Sequence, residues 1–90
     1  MRKFRTDEKL KKQMNIFFKK DRNKYEVILK KMDEIVKCDN PNHYKNLRSP
    51  FQEHKEVHVA NHFVLIFRYM QSKDLIIFEE CCHHNDIFKW

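Results

Sequence analysis

The chain has 90 residues, with nineteen Lys and Arg against thirteen Asp and Glu and six His besides, for a formal net charge of +6. It contains no Gly, which excludes the Gly-rich loops that cradle phosphate in dinucleotide- and nucleoside-triphosphate-binding enzymes. Its three Cys, two of them adjacent, argue against an extracellular disulfide scaffold and fit a reducing cytoplasm.

The opening residues are charged throughout and do not read as a signal peptide, and the longest apolar run, Phe63 to Phe67, is too short to span a bilayer. The expectation is one soluble cytoplasmic domain over residues 1–90, with no membrane association. A small basic domain attracts polyanions, and nucleic acid is the commonest. An acidic protein partner would be attracted by the same charge, and solubility alone also accounts for a charge of this size.

In chain order, residues 2–5 suggest a short edge strand. Leu10, Met14, Phe17 and Phe18 then recur at helical spacing, and Tyr25, Ile28, Leu29, Met32, Ile35 and Val36 continue it. Thr6 with Asp7 and Glu8 reads as one helix start and Asp21 as a second. A polar turn around residues 20–23 would fold the two helices into an antiparallel hairpin. The second helix stops at Cys38–Asn42, around Pro41. Residues 38–52 read as an irregular loop carrying His43, Tyr44, Lys45 and Arg48.

The second half reads as strand. From Glu53 to Ala60, Val57 and Val59 alternate with His54, Glu56 and His58. Phe63, Leu65, Phe67 and Tyr69 alternate with His62, Val64, Ile66 and Arg68, and Leu75 to Phe78 forms a third run. Two helices followed by three consecutive strands predict an α+β fold: a helical hairpin packed on one face of a small twisted antiparallel sheet.

The histidines allow three readings. His54, His58 and His62 could share a helix face and bind a metal, but the valines around them favour strand, and no C-x-x-C spacing supports a zinc site through Cys81, Cys82, His83 and His84. Each one taken singly reads best as a surface residue. Several of them together, among Lys and Arg, form the composition needed to cut RNA without a metal. Two histidines can move the protons at the 2′-hydroxyl and the leaving 5′-oxygen, while cations neutralise the phosphorane.

The run from residue 47 to residue 88 resembles the RelE/ParE superfamily of toxins, and the YafQ branch in particular. The resemblance is carried by His58-Val59, by Asn61-His62-Phe63, by Val64-Leu65-Ile66-Phe67, by the run from Leu75 to Phe78, and by His84-Asn85-Asp86-Ile87-Phe88. The helical hairpin and the length agree with it. The resemblance implies a ribosome-dependent mRNA endoribonuclease that needs no metal or other cofactor and is held inactive by a cognate antitoxin. An acidic antitoxin would suit the basic charge. By position, His58 and His84 match the two proton-transferring histidines, and Phe88 matches the C-terminal aromatic that positions RNA. Lys45 falls where the family often has another histidine, with His43 nearby. His62, standing where the family has an acid, joins this catalytic set. Arg48, Lys55 and Arg68 are the implied phosphate contacts, and Phe63 takes the place of a Trp beside the site.

The chain departs from the family pattern in having Glu80 where an Arg is common. Ser49, Glu53 and Cys82 stand where glycines are usual. Two other functions remain open at this point. One is a ParE-like toxin that poisons gyrase by binding. The other is a member of the same fold that binds RNA or a partner without catalysis.

Overall fold

The computed structural model describes residues 2–47, 53–60 and 62–89, with side chains as far as Asp86. Strand β1 (Lys3–Thr6) leads into helices α1 (Glu8–Lys20) and α2 (Arg22–Lys37), and a 3-10 turn at Pro41–His43 follows. Strands β2 (His54–Ala60), β3 (Phe63–Met70) and β4 (Leu75–His83) come next, and a 3-10 helix spans His84–Lys89. The sheet order is β1-β4-β3-β2. The last three strands pair antiparallel, as the alternation predicts. The suggested edge strand exists and pairs parallel to β4, Lys3 opposite Leu75 and Thr6 opposite Phe78, so the sheet is mixed. Among the described residues no helix is long and apolar enough to cross a membrane.

The helices form where the apolar period predicts them. Leu10 and Met14 of α1 and Ile28, Met32, Ile35 and Val36 of α2 are buried against Leu65, Phe67, Ile76, Phe78 and Cys81 of the sheet. Asp21 alone separates the helices: its N–H closes α1 on the Phe17 carbonyl at 2.7 Å, and its carboxylate accepts the Lys24 N–H at 3.1 Å to start α2. Glu8 in the first turn of α1 and Lys19 and Lys20 in its last complement the helix dipole.

Without glycine, the turn between β3 and β4 places Asp74 in the left-handed region, at φ 48°. Its carboxylate is held by the Tyr69 hydroxyl at 2.8 Å and by Arg2 Nε at 3.0 Å. The same Arg2 guanidinium donates to the carbonyls of Val36, Cys38 and Asp39 at the end of α2. One side chain thereby ties the first strand to a helix terminus and to the turn.

Strand β1 ends opposite Phe78, and β4 continues to His83 without it. The exposed edge is covered at Cys81 by a side chain. Gln13 of α1 donates to the Cys81 carbonyl and accepts from the Cys81 N–H, both at 2.9 Å. The primary amide thus takes the place of a neighbouring strand's peptide group. Gln13→Ala leaves both main-chain groups of Cys81 without this partner, at a cost of about 1–3 kcal/mol. Thermal unfolding of this variant should show a midpoint lower by several degrees, while an unchanged midpoint would mean that the clamp adds nothing to the fold.

Candidate active site

The helices cover one face of the sheet, and strand alternation sends His54, Glu56 and His58 of β2 to the other, opposite Arg68, Ile66 and Val64 of β3. A bulge between His58 and Ala60 breaks the regular pairing directly beside His58. Residues of the loop before β2 run along its outer edge. Asn46 bridges to Lys55, the Leu47 N–H donates to the His54 carbonyl at 2.9 Å, and the Glu56 N–H donates to the Lys45 carbonyl at 3.0 Å. Leu47 thereby folds over Val64 and Ile66 as a small apolar cluster on the open face.

The last strand delivers the second histidine. The His84 N–H donates to the His62 carbonyl, which pins the start of the terminal 3-10 helix to the β2–β3 turn. The His84 ring then lies over the His58 ring, with centroids 5.6 Å apart and planes within 15°. The structure therefore brings together the two histidines that the resemblance pairs, from positions 26 residues apart in the chain (84 − 58). His62 and His83 form a second pair beside them, with centroids at 5.5 Å. The His62 main chain holds His84, while its ring lies with His83 and not with the His58–His84 pair.

Lys45 is exposed, and its ammonium stands 3.8 Å from a Glu56 carboxylate oxygen, two residues along the same face from His58. A loose pair on so exposed a side chain is worth little, so an incoming phosphate can take the ammonium over. His43 sits elsewhere: its Nδ1 bonds to the Asn40 carbonyl and its ring lies on Tyr44 at 4.1 Å. Phe63 points to the helix side, where Lys24 Nζ stands 3.4 Å from its ring centroid and the His83 ring meets it edge-on at 5.7 Å.

Two expected phosphate contacts are placed otherwise. Lys55 has the parity of Val57 and Phe67, so it points away from the open face. It is buried, with its ammonium bonded to the Tyr44 carbonyl and to Asn46, and desolvation pulls its pKa below the ordinary lysine value. These bonds lock the loop to β2. Arg68 does face the open side but is paired with Glu79, which also stands 3.2 Å from His54 Nε2. His54 and His58 are four residues apart along one strand, roughly 13 Å, so this ion-paired group flanks the histidine pair at a distance. Phe88 falls in the terminal 3-10 helix, and its side chain lies outside the described residues, as does all of Arg48. Glu80, which stands where the family often has an Arg, is buried and paired with Lys9 at 2.9 Å.

Among the described residues no three of His, Cys, Asp and Glu are grouped to hold a metal ion. The adjacent thiols have another character. Burial, first of all, pushes Cys81 up to about 11 and Cys82 up to about 12. Because both folded values are raised, the stability they contribute is fully present below the ordinary thiol pKa of about 8.5 and is lost as pH rises toward 11 and 12. Iodoacetamide at pH 8 should therefore leave both unmodified in the folded chain and alkylate them after unfolding in urea. Rapid labelling of either one before unfolding would contradict this burial.

No protein-family model matches the chain. A Methanocaldococcus jannaschii protein named "Putative toxin RelE4" is 45 % identical to it over 71 residues, which covers 79 % of this chain and 73 % of that one. Among solved structures, YafQ from Escherichia coli strain BL21(DE3) superposes with a TM-score of 0.67 at 21 % identity, covering 98 % of this chain and 99 % of its own. The intact E. coli RelBE toxin–antitoxin complex contains a chain that superposes with a TM-score of 0.70 at 13 % identity, covering 92 % and 96 %. At these identities the two structures bear on the fold, and the M. jannaschii relative bears on the family.

Proposed function

This chain belongs to the RelE/ParE superfamily of toxins, and we propose that it is the toxin of a toxin–antitoxin pair that cuts mRNA on the ribosome through His58 and His84. The observation that carries the reading is the facing of these two imidazoles, 5.6 Å apart, on the sheet face that the helices leave uncovered. Two rings so spaced can each reach one oxygen of a single phosphodiester. One takes the 2′-hydroxyl proton as that oxygen attacks phosphorus, and the other gives a proton to the departing 5′-oxygen. The products are a 2′,3′-cyclic phosphate and a 5′-hydroxyl end. Lys45, loosely held beside Glu56, supplies positive charge for the pentavalent phosphorus. The scheme uses protein groups alone, and action on ribosome-bound mRNA implies a cytoplasmic protein.

The partner follows from the same reading. The solved RelBE structure is a toxin–antitoxin complex. A chain with a formal charge of +6 suits an acidic antitoxin encoded beside it.

A second reading has one observation in its favour. Lys55 is buried and Arg68 is paired, so two of the cations expected for phosphate are engaged. A toxin that acts by binding a protein, as on gyrase, or a member that binds a protein partner without cutting, needs neither them nor the histidine pair.

His58→Ala and His84→Ala should each slow cleavage of ribosome-bound mRNA by at least about 100-fold, with the far-ultraviolet circular dichroism of the wild type retained. Growth arrest that persists in the double variant without new RNA ends would move the function to the binding class.

A further inference from the structure

His83 is left over from the scheme above. It is the last residue of β4, and the next residue, His84, opens the terminal 3-10 helix. The first N–H groups of any helix lack partners within it. Here both of the first two find one outside it. The His84 N–H goes to the His62 carbonyl, and the Asn85 N–H donates to His83 Nδ1 at 3.2 Å. The His83 imidazole therefore acts as a cap on the segment that carries His84. Since Nδ1 accepts, the ring proton resides on Nε2 in this arrangement.

The ring is itself held in place. It meets the Phe63 ring edge-on at 5.7 Å, and the His62 ring lies 5.5 Å away. The far side of this stack is closed by Lys24, whose ammonium stands 3.4 Å from the Phe63 ring centroid. The line from Lys24 through Phe63 to His83 thus connects the first turns of α2 to the start of the terminal helix.

We propose that His83 is a positioning residue that fixes the His84 imidazole against that of His58. It acts through the backbone from which one ring of the reacting pair projects. The kinetic consequence rests on the ribonuclease reading above, whereas the structural one does not.

Two substitutions separate the acceptor from the bulk. His83→Leu keeps an apolar side chain against Phe63 but cannot accept from Asn85, and His83→Asn restores a short acceptor. In nuclear magnetic resonance spectra of the full chain, the wild type should show a contact between the His58 and His84 ring protons and a protected Asn85 amide. His83→Leu should lose the ring contact and expose that amide, at an unfolding midpoint close to wild type. Its kcat on ribosome-bound mRNA should fall by about 10- to 100-fold, with KM little changed. His83→Asn should recover the ring contact, the protection and most of kcat. A His83→Leu chain that keeps the ring contact and the protection overturns the proposal, as does a His83→Asn chain that recovers neither. A wild-type chain that cuts no mRNA defeats the ribonuclease reading, and the ring contact and amide exchange still decide the role of His83.

Discussion

The paired hydrogen bonds between Gln13 and Cys81 are the contact on which the working end of the molecule depends. The parallel strand β1 supports β4 only as far as Phe78. Beyond that point β4 would expose an unpaired edge, and frayed backbone there would release the segment that carries the histidines. A single amide from α1 fills the gap at Cys81, while pairing with β3 carries β4 on to His83. From there the chain turns under the carbonyl of His62 and presents His84 to His58. Two places 26 residues apart in the chain (84 − 58) are therefore brought together by contacts that lie outside the two imidazoles themselves.

The helices and three of the strands were legible because their signals are local. Leu10, Met14, Ile28, Met32, Ile35 and Val36 repeat at helical spacing, and all are buried. The parallel pairing of β1 was not, because four residues with an exposed pattern say nothing about which distant strand they join. Nor was the full length of β4. Residues 79–83 lack apolar alternation, and the bulge opposite Ile66 and Phe67 shifts what parity they have. Gln13 reads in the sequence as one more polar residue on an amphipathic helix. Nothing local marks it as the partner of a strand edge.

The site was legible in part, and chiefly through the family resemblance. Composition and spacing alone left the histidines divided among metal, surface and proton transfer. The order and spacing of the motifs singled out His58 and His84, and the fold brings that pair together. Lys55 shows where a signal was present and unused. The alternation that sets His54, Glu56 and His58 on one face sends Lys55 to the other, among Val57 and Val59. The engagement of Arg68 by Glu79 depends on the β3–β4 pairing and could not be read from either residue alone. The pairing of Glu80 with Lys9 of α1 likewise depends on how the helix packs on the sheet.

The central claim is that the uncovered sheet face moves protons at a ribose 2′-hydroxyl and the adjoining 5′-oxygen. It is tested most directly by a ribosome programmed with an mRNA that carries one 2′-deoxynucleotide at the mapped cleavage position. The account predicts that the purified chain cuts the all-ribose message there, leaving a 2′,3′-cyclic phosphate, and leaves the deoxy-substituted message intact at that position. Cleavage at the deoxy position would contradict it, because the nucleophile would then be something other than the ribose 2′-hydroxyl.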